Sequence, residues 1–227
     1  MKQVILLVLI FSYSICFGAW STNPTVNNPI CNATDYQQRT VICSDGAGGA
    51  IIAWQDFRSG TSWDIYAQRI DANGNTKWIS DGIPICNQAD QQMTPQIAED
   101  GAGGAYISWL DDRNYTVYAQ RVSSSGTAMW VANGVQVYLS TGLASDHKLI
   151  TDLSGNAILA WVDNRNGWDG DIFAQKLSNG GSRMWAASGV QVCVYGSYVE
   201  NMQMIADGGN GAIIVWDEYL IGGYNNR

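Results

Sequence analysis

Three stretches of this chain place a carboxylate two residues before an arginine, directly behind a tryptophan: Trp54 with Asp56 and Arg58, Trp109 with Asp111 and Arg113, and Trp161 with Asp163 and Arg165. A carboxylate beside a guanidinium is material for a glycosidase site, where carboxyl groups move protons and attack the sugar. The threefold recurrence argues for a different role. A reacting pair is needed once, whereas an ion pair that holds a loop is needed in every copy of a structural unit, so these six charged residues read as structural. A fourth tryptophan, Trp216, is followed by Asp217 and Glu218 with no arginine near.

Other groups with chemical potential are few. His147 is the only histidine. With no second histidine and no cysteine pair beside it, it does not read as a metal ligand, and it is expected to be a surface or strand-start residue. No Ser-His-Asp arrangement can be assembled. Asp169 and Asp171 flank Gly170 in a short loop and offer two carboxylates to Ca²⁺, without a full oxygen cage in view. No cofactor is expected. Cys31 and Cys43 lie close enough in sequence to bond between adjacent strands if the chain is exported. Cys31, Cys86 and Cys193, however, fall on one recurring slot that Tyr138 fills in the remaining copy. A slot that accepts Cys or Tyr points to packing, so buried free thiols are the preferred reading.

The elements that must position these residues repeat. "DGAGGAIIAW" (45–54), "DGAGGAYISW" (100–109), "DLSGNAILAW" (152–161) and "DGGNGAIIVW" (207–216) align on a turn and a tryptophan, spaced 55, 52 and 55 residues apart. A second ladder follows the first three: "WISDGIPIC" (78–86), "WVANGVQVY" (130–138) and "WAASGVQVC" (185–193). Periods of this length signify repeat architectures. Within one period the alternation of apolar and polar residues and the glycine-rich turns give four short strands, in the second copy "PQIAE", "GAYISWL", "TVYAQRV" and "VQVYL". Four antiparallel strands in some 50 residues match one blade of a β-propeller. The expected fold is therefore all-β, a propeller of four-stranded blades with four full or partial repeats. Full blades are expected over 36–87, 90–139 and 145–194 and a truncated one over 199–227, with 20–35 as the last strand of a partial blade.

The combined pattern "DGxGGAIIAWxDxR", "DIYAQR" and "GxxxWxxxGxxIC" resembles the propeller-type repeats of large secreted bacterial surface proteins. That resemblance implies adhesion or polymer binding as a role. The turns "DANGNTKW" (71–78), "SSSGTAMW" (123–130) and "SNGGSRMW" (178–185) are similar to sialidase-type turns. They differ in glycine-to-tryptophan spacing, and the arginine triad and Tyr/Glu pair of that family are missing.

Composition excludes some partners. The net charge is -8 with no basic stripe, which removes the phosphate attraction that nucleic-acid binding rests on. Lys2 followed by "VILLVLIFSYSICFGA" reads as a secretory signal peptide over 1–19. No later stretch is long and apolar enough to span a membrane. The expected location is extracellular or at the cell surface. The chain breaks off where another "DIYAQR" strand would begin, which favours part of a longer protein over a small closed ring.

Eight of the ten tryptophans sit on the two ladders, counting Trp20 as a partial copy; Trp63 and Trp168 do not. Both fall in the loop between the second and third strands, where the other copies carry Tyr115 and, near the end, Tyr219 and Tyr224. These aromatics either form stacking platforms for a glycan or a surface protein, or fold over their own blades. The resulting expectation is a non-catalytic binding, adhesion or structural module rather than an enzyme. The alternative is a polysaccharide-acting hydrolase of sialidase-like propeller type.

Overall fold

The computed structural model describes residues 20–21, 23, 25–139, 142–167, 170–193 and 197–220. All regular structure among them is β. The elements are β1 (Gln37–Ser44), β2 (Ala50–Asp56), β3 (Asp64–Ile70), β4 (Ile83–Cys86), β5 (Gln92–Glu99), β6 (Ala105–Asp111), β7 (Thr116–Val122), β8 (Val135–Gln136), β9 (Ala144–Thr151), β10 (Ala157–Asp163), β11 (Asp171–Leu177), β12 (Val190–Gln191), β13 (Ser197–Ala206) and β14 (Ala212–Leu220). They form three four-stranded antiparallel sheets, each in sequence order, and one two-stranded sheet, β13-β14. These are the blades of a β-propeller. Among the described residues no helix is long and apolar enough to cross a membrane.

Each blade begins at its inner strand and works outward, and the inner strands of successive blades, β1, β5, β9 and β13, lie next to one another. The central strands β2, β6 and β10 are buried nearly end to end because both faces of each sheet meet other side chains. Ile51, Ala53, Ile65 and Ala67 on one face of the first blade pack with Ile107, Trp109, Tyr118 and Val122 of the second. The next junction repeats this with Tyr106, Val117 and Ala119 against Leu159, Trp161, Phe173 and Leu177.

Two ladders of tryptophan explain the repetition in the sequence. Trp54, Trp109 and Trp161 each press the ring edge against a glycine of their own blade: a Cβ built on Gly82, Gly134 or Gly189 would come within 2.7, 2.6 or 2.7 Å of Cη2 of that indole. Trp20, Trp78 and Trp130 instead lie on a glycine of the following blade, at Gly74, Gly126 and Gly181, where a Cβ would meet the indole at 2.9 Å. Their indole N–H groups donate to the carbonyls of Ala72, Ser124 and Asn179 at 2.8, 3.1 and 2.9 Å. Each such tryptophan clasps the hairpin of its neighbour.

The N-terminal segment follows the same scheme without forming a strand. Trp20 takes the clasp position, and Cys31 lies beside Arg58 as Cys86 lies beside Arg113. Residues 20–36 make no ladder among the described residues, since a fourth strand bonds only to a third, and none is present beside it. The fourth strands of the second and third blades are also shorter than the alternation suggests. Only Val135–Gln136 and Val190–Gln191 pair, although Val137 N–H still donates to Val117 O at 2.9 Å.

Candidate functional site

The repeated carboxylates are bound internally, in nearly the same way each time. Asp56, Asp111 and Asp163 are fully buried and accept from the indole N–H of Trp54, Trp109 and Trp161 at 2.7, 2.7 and 3.0 Å. The guanidinium of Arg58, Arg113 or Arg165 then pairs with the same carboxylate at 2.6, 2.6 and 2.5 Å. Each arginine also lies over an aromatic ring, Tyr66, Tyr118 or Phe173. Burial drives the pKa of Asp56 up, but hydrogen bonds from Arg58 and Trp54 outweigh it, and the net shift is downward. Every lone pair of this group is directed at the scaffold.

The loop aromatics divide. Trp63 is half-buried with its ring 5.1 Å from that of Phe57, and its backbone is tied to the next blade through Gln91 Oε1 and the Gln92 N–H. It folds over its own blade. Tyr115 is exposed, with φ of 55°. Trp168, Asp169 and Tyr224 lie outside the described residues, and Tyr219 is described only as a backbone position paired with Tyr198. Asp171, the other Ca²⁺ candidate, is buried and accepts from Asn166 Nδ2 at 2.7 Å and Gln191 Nε2 at 2.9 Å. Among the described residues no cluster of three His, Cys, Asp or Glu side chains is placed to hold a metal.

His147 corrects the expectation of a surface residue. It is 2% exposed and its Nε2 lies 3.1 Å from Ser108 Oγ of the preceding blade. Burial pushes its pKa down from 6.5 to about 4. The four described cysteines are all free thiols. Cys31 packs with Ile52 and Trp54 and Cys43 with Ile51 and Ala53, on opposite faces of the first blade, so the two do not meet.

The inner strands hold what the sequence did not reveal. In each blade the ladder between the first and second strands is broken opposite the ladder tryptophan: two residues oppose one at Arg39-Thr40, Thr94-Pro95, Asp146-His147 and Asn201-Met202. The first residue of each pair has positive φ, 55°, 50°, 26° and 52°. Such bulges re-aim a side chain and recur beside active sites, and a non-glycine residue in this conformation is strained. Four copies at one position make the feature a property of the fold.

The scaffold around each bulge is copied, but the residue on it is not: Arg, Thr, Asp and Asn in turn. Arg39 is exposed and forms no ion pair among the described residues. Asp146 is 43% exposed at its side chain and pairs with Lys148 at 2.8 Å. Asn201 Nδ2 donates to Asp217 Oδ2 at 2.7 Å. Glu200, one residue before the last bulge, is exposed. The inner strands thus carry two carboxylates, a cation and an amide on the adjoining β9 and β13, and a second cation, Arg39, on β1. The signal in the sequence is negative: this is where the alignment of copies fails while the flanking residues agree.

No family model matches the chain, and no curated protein matches it significantly. Among solved structures the chain is similar to a protein from Bifidobacterium bifidum S17 assigned provisionally as an exo-beta-1,3-galactanase, with 12% identity and a TM-score of 0.50 over 83% of this chain and 63% of that one. It is also similar to an endo-arabinase from Bacteroides thetaiotaomicron VPI-5482, with 12% identity, a TM-score of 0.44 and coverage of 80% and 74%. A provisionally assigned glycoside hydrolase from Parabacteroides distasonis ATCC 8503 matches with 10% identity, a TM-score of 0.37 and coverage of 78% and 66%. The first of these shares the fold, and the chain spans less than two thirds of its length.

The expectation of a non-catalytic module without enzymatic activity is corrected here. Recurrence marks only the repeated ion pairs as structural and leaves the non-repeating residues of the inner strands open. A solved chain that shares this fold is provisionally named an exo-beta-1,3-galactanase. That neighbour stands with the alternative, a hydrolase, rather than with the main expectation.

Proposed function

We propose that the chain is part of a polysaccharide-acting glycoside hydrolase whose site lies at the bulged ends of the inner strands. One observation carries the reading: a strained bulge at the same place in all four blades presents four different polar side chains, where a purely structural repeat would present the same one. The likeness in fold to a protein named as an exo-beta-1,3-galactanase supports a glycan as substrate. The leader-like pattern over residues 2–19 supports action outside the cytoplasm.

Hydrolysis of a glycosidic bond takes one carboxyl group to protonate the leaving oxygen and a second to attack or to activate water. We assign these parts to Glu200 and Asp146, on adjoining inner strands. Asp146 pairs with Lys148 at 2.8 Å, and Glu200 forms no ion pair among the described residues. Arg39 and Asn201 supply donors for sugar hydroxyls. The test is release of reducing sugar from β-1,3-galactan and from arabinan by the purified chain and by Asp146→Asn and Glu200→Gln. Loss of release in either variant, with unchanged unfolding, is the expected result. Absence of release from both polymers, or full activity in both variants, would overturn the assignment.

A further inference from the structure

Two residues after the recurring arginine, the first and third blades carry glycine, Gly60 and Gly167, and the second carries Tyr115. All three have positive φ, 71°, 151° and 55°. Glycine adopts such a backbone freely, whereas a residue with a bulky side chain is strained in it. Nothing inside the protein offsets that strain. The tyrosine is 59% exposed, and among the described residues its ring meets no other ring and its hydroxyl has no hydrogen bond. We infer that Tyr115 is a stacking platform for a sugar ring and forms a substrate subsite next to Asp146. The inference deepens the glycan reading above and rests on it for the place of the cleaved bond.

The first blade shows what the alternative would be. Its loop, 57–63, is longer than the 112–115 loop of the second, and it separates the two features that Tyr115 combines: positive φ falls on Gly60 and the aromatic on Trp63. Trp63 and Tyr115 both stand directly before a third strand, and their carbonyls do the same work. Trp63 O accepts from Gln92 N–H at 2.8 Å and Tyr115 O from Ala144 N–H at 3.1 Å, each the first N–H of the next inner strand. The rings differ because their cushions differ. Trp63 packs on Phe57, and the place of Phe57 is taken in the second loop by Asp112, which offers a ring no apolar surface.

Backbone bonds fix where the platform stands. The loop follows Asp111, which pairs with Gln92 at the start of β5, so it lies at the bulged end of the inner strands. Asp112 N–H ties it to Gln91 O at 2.9 Å on one side, and the Ala144 bond ties it to the start of β9 on the other. Asp146 is two residues further along β9, about 7 Å of extended chain, which is close to the span of one sugar residue. Leu143, 50% exposed, adjoins Ala144 and adds aliphatic surface. An aromatic face beside an aliphatic side chain suits the C–H face of an uncharged sugar. Strain of this kind persists where a ligand uses the residue.

The probes are β-1,3-galactan and arabinan, each cast into a native gel in which binding slows the purified chain. At least one polymer should retard the parent. Tyr115→Gly should lose most of that retardation, and Tyr115→Phe, which keeps the stacking face, should recover it. In the reducing-sugar assay Tyr115→Gly should raise KM by about tenfold and change kcat by less than about twofold, as the loss of a contact made equally before and during reaction requires. Its urea midpoint should hold or rise, because glycine relieves the strained φ. Retardation and KM both unchanged in Tyr115→Gly, a lowered midpoint, or a parent that neither polymer retards would overturn the inference. Release of sugar that is indifferent to Tyr115→Gly would sink the platform and leave the hydrolase standing. Retardation that depends on Tyr115 without release of sugar would uphold the platform and bring down the hydrolase alone.

Discussion

Because His147 is the sole histidine, its titration can be followed without ambiguity, and the structure sets the size of the effect. Its folded-state pKa is depressed from 6.5 to about 4 by burial at the junction of the second and third blades. The unfolded chain therefore takes up a proton before the folded chain does. The resulting contribution is fully present above 6.5, is lost as pH falls through the interval between the two values, and levels off below about 4. At about pH 5 the linkage amounts to ~2 kcal/mol relative to neutral pH. His147→Met places there the residue that the fourth blade uses in the same slot, the fully buried Met202. Urea unfolding of both proteins at about pH 7.5 and about pH 5 isolates the histidine, because every other titrating group is common to the pair. Among these, Asp64, raised to about 6 by burial and the nearby Asp56 charge, works in the opposite direction. The stability of the variant relative to the parent should rise by ~2 kcal/mol on acidification. A difference that stays constant between the two pH values, or an imidazole NMR titration centred near 6.5, refutes the burial argument.

Two further outcomes follow from the packing. Gly134→Ala builds a methyl 2.6 Å from Trp109 Cη2 and 2.7 Å from Ala119 O at φ of +82°, and should cost about 2–4 kcal/mol in denaturant unfolding; tolerance within experimental error would show that the indole can retreat. The thiols of Cys43 and Cys86, pushed up to about 12 and about 11 by burial, should resist alkylation in the native chain and react once it is unfolded, which mass spectrometry reads directly. A Cys31–Cys43 disulfide in that experiment would contradict their placement on opposite faces.

Much of the fold was legible because each blade must offer the same surfaces to its neighbours. Trp78 can clasp the next hairpin only if Gly126 is there, and Trp109 fits only over Gly134. Such pairs force copying, and copying exposes the period. The bulges were not legible because they are backbone events. Arg39 and Thr94 carry no turn chemistry in their types, and the residue opposite them, a buried tryptophan, advertises packing alone. His147 was misplaced for the same reason. The bulge shifts the alternation, turning the residue after it into the junction with Ser108. Trp63 could stack outward or inward from its loop, and only the position of Phe57 decides it.

The bulge has a consequence for how such a chain changes over time. Its first residue stands outside the ladder, and no bulge-first residue belongs to any of the four core clusters. Exchanging that residue leaves the apolar contacts of those clusters in place, while Thr94, whose Oγ1 is buried, is more confined than Arg39 or Asp146. Selection can revise what each blade presents one position at a time, within the residue types that tolerate the positive φ of the bulge.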